Sequence, residues 1–147
     1  DENKKSHAGV IQGFLRSNGG SVIQSNRLFQ LAAGLLGASG VVFGAWGAHG
    51  LGGHLGESSL NSWQTGVDYQ LLHAILLFAI GIKQASGETG LRIVISGAFI
   101  LLGTLMFSGS IYSMLLLSWD WLWPVTPLGG SFLILGWLVI LYDATVA

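Results

Sequence analysis

The chain has 147 residues, of which 51% are hydrophobic and only 9% charged, with a formal net charge of -1 and a positive mean hydropathy. About a quarter of a soluble domain is charged, so this composition excludes a water-solvated globular surface. Six basic residues in all exclude the clustered positive face of a nucleic-acid binder, and the absence of cysteine excludes disulfides, thiolate metal sites and cysteine nucleophiles.

Residues 1–26 are rich in Ser, Gly, Asn and Gln, with short apolar runs only at Val10-Ile11 and Phe14-Leu15. Such a segment buries too little surface to fold alone, so a flexible tail, or one ordered by a partner, is expected. It lacks the continuous apolar centre of a secretory signal. The chain opens on Asp1 rather than Met, the pattern of a processed, imported precursor, so the mitochondrial inner membrane is expected in preference to a bacterial inner membrane.

Residues 27–147 form the second expected unit, with four apolar stretches to test against a hydrocarbon core about 30 Å thick. Leu28 to Ala48 and Trp63 to Ile82 are near the required length, and neither contains Lys or Arg. Leu91 to Leu117 is longer than needed, and its polar step Ser108-Gly109-Ser110 is expected to mark an irregular end. Pro127 to Tyr142 is short, with Thr126 expected as N-cap and Pro127 in the first turn. The predicted fold is all-α, an integral membrane four-helix bundle. Lys4, Lys5, Arg16 and Arg27 precede the first helix, and Lys83 and Arg92 lie between the second and third, which predicts both termini on the inner side. Trp119, Trp121 and Trp123 then lie in an outer connection, where amphipathic rings favour the headgroup level as an interfacial anchor.

The blocks Gly44-Ala45-Trp46-Gly47-Ala48-His49-Gly50-Leu51, Trp63-Gln64-Thr65-Gly66-Val67-Asp68-Tyr69-Gln70-Leu71-Leu72-His73-Ala74, Phe107-Ser108-Gly109-Ser110-Ile111-Tyr112 and Thr126-Pro127-Leu128-Gly129-Gly130 carry a family likeness. In their order and spacing the chain resembles the DUF 423 family, which includes eukaryotic transmembrane protein 256. The resemblance spans Leu28 to Tyr142 and implies a four-helix protein of bacterial inner membranes or mitochondria, with no established activity. Two positions depart from it: Gly52-Gly53-His54 stands where the family often has a Lys, and Asp68 is an acidic choice at a variable position.

Within the first helix Gly34, Gly37, Gly40, Gly44 and Gly47 recur at steps of three and four, a sector of roughly 140° on one face. Close backbone approach by a neighbouring helix of the same chain is one reading of it; a groove for a partner or cofactor is the other. His73, about three turns into the second helix, must find a partner inside the bundle. Tyr69 and Gln70 are expected to join it in one hydrogen-bonded patch completed by Ser108, Ser110 or Tyr112. The alternatives are a structural cluster and a small-molecule, quinone or proton site. His49 reads as a helix C-cap, and otherwise as a haem ligand with His73. Zinc at His49, His54 and Glu57 has no characteristic spacing to support it. Asp68, Asp120 and Asp143 read as solvated helix-end carboxylates, with Asp68 favoured by the dipole of its helix N-terminus.

No catalytic constellation, metal site or cofactor is expected. The leading expectation is a non-catalytic accessory or assembly subunit of a larger membrane complex, with the respiratory chain as host. It would contact membrane lipids and other membrane-protein subunits through the glycine face and the N-terminal tail. A small transporter or channel, or a lipid, quinone or haem module around His73, are the alternatives.

Overall fold

The computed structural model describes residues 27–87 and 90–146, so expectations for residues 1–26 lie outside the described residues. Four helices are long and apolar enough to cross a membrane, and among the described residues there is no strand. Helix α1 is Arg27–His49, α2 is Glu57–Ala85, α3 is Leu91–Leu117 and α4 is Val125–Val146. A 3-10 turn, Asp120–Leu122, lies between α3 and α4. The short connections make sequential neighbours antiparallel. The central pair, α2 and α3, is more buried than the flanking α1 and α4.

Several helix ends differ from the sequence expectation. Helix α2 starts at Glu57 rather than Trp63, because its polar first turns are helical without being apolar. Asp68 therefore lies well beyond the first turn, out of reach of the helix dipole, and accepts a bond from Gln64 Nε2 at 2.7 Å. Helix α3 passes unbroken through Ser108-Gly109-Ser110, whose serine hydroxyls return to carbonyl oxygens instead of interrupting the helix. It ends at Ser118, a left-handed residue with φ 55°. Helix α4 starts at Val125, so Thr126 is not its N-cap. The Thr126 hydroxyl instead pairs with Ser110 across the α3–α4 seam at 2.7 Å.

Two apolar clusters fill the bundle. One, towards the α1–α2 connection, contains Leu51, Trp63, Val67 and Tyr112. The other contains Phe29, Ala33, Leu77, Ile80, Ile93, Ile100 and Leu133. Between them lies a belt of buried polar residues, Gln70, His73, Thr104 and Ser108, near the middle of α2 and α3.

Among the described glycines, those at which an added Cβ would run closest to the backbone of another helix lie between α3 and α4, outside the expected α1 face. A Cβ on Gly129 would lie 2.5 Å from the Phe107 backbone nitrogen and 3.0 Å from the Gly103 carbonyl oxygen. Backbone atoms cannot swing aside as a side chain can. The α1 face divides in two: a Cβ on Gly40, Gly44 or Gly47 would meet Leu71, Val67 or Trp63 of α2, whereas one on Gly34 or Gly37 would meet none of the described residues within 4 Å. Gly129→Ala should therefore destabilise the bundle by about 1–3 kcal/mol, and Gly34→Ala should not. Thermal unfolding of the two variants in one detergent checks this; equal midpoints would contradict it.

Candidate functional site: a polar belt between helices

Gln70 is the hub of the belt. Its Nε2 donates to the Leu36 carbonyl oxygen at 2.8 Å and to Ser39 Oγ at 2.9 Å, while its Oε1 accepts from the Tyr112 hydroxyl at 2.9 Å. Both donors and one acceptor site are thus used, and α1, α2 and α3 are joined through one side chain. The Leu36 carbonyl can only accept, which fixes the orientation of the amide.

His73 belongs to a second, separate group. Its Nδ1 lies 2.7 Å from the Tyr69 carbonyl oxygen, and its Nε2 lies 3.3 Å from Trp137 Nε1 on α4. A carbonyl accepts and an indole N–H donates, so the ring is the neutral tautomer with its proton on Nδ1. Tyr69 contributes its backbone rather than its hydroxyl. The residue is 41% exposed, and its ring stacks on Phe107 of α3, with centroids 4.4 Å apart. The single patch of Tyr69, Gln70 and His73 expected from the sequence is thus two networks on adjacent faces of α2, one towards α1 and α3, the other towards α4.

The serines make the remaining cross-links. Ser108 Oγ donates to the Gly66 carbonyl at 2.7 Å, and Ser96 Oγ to the Gly136 carbonyl at 3.1 Å. Ser110 bonds Phe107 of its own helix at 3.0 Å as well as Thr126. Trp63 Nε1 donates to the Phe43 carbonyl at 2.9 Å. The carbonyls used on α1, Leu36 and Phe43, each lie one turn before a glycine, Gly40 and Gly47. A Cβ at Gly47 would sit 2.7 Å from Trp63 Nε1, and one at Gly40 would sit 3.4 Å from Gln70 Nε2, the two nitrogens that make these bonds. Glycine here uncovers a carbonyl as well as admitting a helix.

His49 is exposed at the end of α1, where the Gly50 and Leu51 amides, at 2.7 and 3.1 Å, satisfy the Trp46 carbonyl. The structure does not bring His49 to His73, whose two ring nitrogens face Tyr69 and Trp137. Among the described residues no three His, Asp or Glu side chains converge as a metal site, and His49, His54 and Glu57 do not form one. Trp119, Trp121 and Trp123 are all exposed around the 3-10 turn. Ser39 and Trp137 were not singled out from the sequence, and Thr126 was singled out only as a helix N-cap. A polar residue on a glycine face and a tryptophan deep in an apolar helix were the available signals, since a buried indole N–H needs an acceptor.

Beside His73 an open groove of about 390 Å³, walled by Tyr69, Leu72, Phe107, Leu133 and Trp137, faces outward between α2 and α4. A family model described as "Protein of unknown function (DUF423)" matches residues 43–130, which include most of the belt. The chain belongs to the DUF423 family. Among its relatives, a UPF0382 membrane protein of Staphylococcus haemolyticus is 36% identical over 115 residues, covering 78% of this chain and 93% of the relative. UPF0382 membrane proteins of Bacillus subtilis and Haemophilus influenzae are 36% and 34% identical over 105 residues, 71% of this chain and 85% and 82% of the relatives. No solved structure matches the chain. These relatives are bacterial membrane proteins, so the chain is assigned to a membrane, and the mitochondrial expectation draws no support from them.

His73→Leu should cost on the order of 1 kcal/mol, because the Trp137 N–H loses its acceptor, whereas His73→Gln, which keeps a donor and an acceptor, should cost less than half of that. Chemical unfolding of both variants in detergent tests the ranking, and a Gln variant as unstable as the Leu variant would contradict it.

Proposed function

We propose that this protein is a non-catalytic accessory or assembly subunit of a membrane complex, and that it docks a transmembrane helix of another subunit on α1. The observation that carries this reading is the open end of the α1 glycine face. Gly34 and Gly37, unlike Gly40, Gly44 and Gly47, have no neighbour within Cβ reach among the described residues. They floor a groove of about 340 Å³ walled by Ala33, Val41, Leu71, Ile75 and Phe78. Exposed leucine alone says nothing in lipid, which is as apolar as leucine. A notch at backbone level is different, because association in a bilayer depends on close van der Waals packing. The belt supports the same reading: Gln70, Ser108 and Trp63 are committed to bonds between the helices.

A small-molecule site at His73 is the second reading, favoured by the aromatic groove beside it. A respiratory-chain host is a finer version of the first, and the relatives offer no support for it. The orientation proposed is both termini inside, because Arg27, Lys83 and Arg92 lie at one end of the bundle.

Gly34→Leu and Gly37→Leu should leave the bundle folded, since the added side chains enter open space, but should release it from its native assembly. Gly40→Leu should instead destabilise the bundle itself by displacing Leu71. Native gel migration from mild-detergent extracts, alongside thermal unfolding of the purified variants, separates these effects. An assembly of unchanged size in both groove variants would remove the docking reading.

For the orientation, a cysteine introduced at Gly53 or Asp120 should react with a membrane-impermeant maleimide only from the face opposite Lys83 and Arg92, which is the outer face. Labelling from the inner face would reverse the assignment.

A further inference from the structure

Asp68 is a carboxylate at membrane depth with no cation beside it among the described residues. The contacts of α2 fix its level: Val67 lies against Gly44 of α1, and Ser108 of α3 bonds the Gly66 carbonyl. At a rise of about 1.5 Å per residue, Asp68 is therefore roughly 10 Å below the ends of α1 at His49 and of α3 at Leu117. The other helices have no charged residue at that level. There α1 reads Gly40-Val41-Val42-Phe43-Gly44, α3 reads Phe107-Ser108-Gly109-Ser110-Ile111, and α4 reads Thr126-Pro127-Leu128-Gly129-Gly130. Asp68 is exposed, and its bond from Gln64 comes from a neutral amide. A lone ionisable side chain facing lipid is costly, and such residues pair with an opposite charge.

Asp68 also continues the open groove on α1. About one turn on from it is Leu71 and two turns on is Ile75, and both wall the groove floored by Gly34 and Gly37. Residues at these steps share one helix face, so a helix seated in the groove and running along α2 passes Asp68 about two turns beyond the notch. The occupant then has to supply positive charge at that point. A lipid tail has none. A second copy of this chain has none there either, and a twofold axis along the membrane normal would bring Asp68 towards Asp68, where like carboxylates repel.

We infer that the helix docked on α1 carries a basic residue, lysine or arginine, about two turns from the segment seated on Gly34 and Gly37, and that this residue pairs with Asp68. The inference rests on the docking reading above and adds to it the chemistry of the partner. The two features divide the work. The notch lets a helix come close but accepts any apolar helix at any register, whereas a charge pair in a low-dielectric medium forms at one depth only. Asp68 therefore selects the partner and sets its register, and a purely apolar helix leaves the carboxylate unpaired.

The experiment uses the full chain, which has no cysteine of its own, labelled with a donor dye at Gly53→Cys and reconstituted in phosphatidylcholine vesicles. The probes are single-span polyleucine helices carrying an acceptor dye, one with a lysine about 10 Å below one end and one without lysine. Energy transfer reports their association. The lysine helix should associate about ten-fold more tightly than the plain one. Asp68→Asn, which keeps an acceptor for Gln64, should abolish that preference, and Asp68→Glu should retain it. Gly34→Leu should weaken both helices alike. No preference for lysine, or a preference that survives in Asp68→Asn, would overturn the inference, and the docking reading would still stand if Gly34→Leu weakened association. A preference lost in Asp68→Asn but untouched by Gly34→Leu would instead remove the docking reading, and with it this partner's place on α1. Transfer between two labelled copies of the chain that Asp68→Asn abolishes would also overturn the inference, by making a second copy the occupant.

Discussion

Access to backbone carbonyls is the constraint on which the rest of this bundle depends. In a bilayer the helical backbone satisfies itself, and helices gain little from burying apolar surface against one another. Specific association then needs close packing or interhelical hydrogen bonds. A donor on one helix can reach a carbonyl on another only where no side chain covers it. Gly40 and Gly47 uncover Leu36 and Phe43 on α1, and Gly66 and Gly136 offer their own carbonyls to Ser108 and Ser96. Each bond is worth well under 2 kcal/mol, but each works in only one register of its helix pair. The network therefore selects an arrangement that dispersion alone would leave loosely specified.

That selection orders the molecule along its length. The aromatic cluster around Trp63 and Tyr112 closes one end, the Leu77 and Ile100 cluster fills the other half, and Gln70 ties three helices between them. Helix α4 is fastened differently. Gly129 against the Phe107 backbone brings it close to α3, Trp137 reaches His73, and Asp143 pairs with the ends of α2 and α3. His73 is thus the belt's link to α4, and its neutral tautomer follows from having an acceptor on one side and a donor on the other.

The four spans were legible because hydropathy reports immersion in lipid directly, and α3 fills the whole apolar stretch Leu91 to Leu117 without the irregular end expected at Ser108-Gly109-Ser110. The start of α2 was not. Ser58, Asn61 and Ser62 are polar yet helical, and hydropathy registers where a helix leaves the hydrocarbon, not where its hydrogen-bond ladder begins. The polar residues of the belt were legible by type, but not as partners. Most of their acceptors are backbone carbonyls, which every residue carries and no sequence pattern distinguishes. Ser108 therefore looked like a break in α3 when it is a bond to α2, and Tyr69, expected in one patch with Gln70 and His73, offers His73 its carbonyl.

The glycines carry the argument furthest, since one residue type answers to different pressures along a single helix. Gly40 and Gly47 are fixed by the fold, because a methyl group there would meet Leu71 or Trp63 and crowd the donors that join α1 to α2. Gly34 and Gly37 continue the same spacing past the point where α2 needs it, and alanine would fit at either without touching any described residue. Glycine in the middle of a helix costs about 1 kcal/mol relative to alanine. At Gly40 and Gly47 the bonds to α2 offset that cost within the chain. At Gly34 and Gly37 no contact among the described residues does, and that is the ground for the docking proposed on α1.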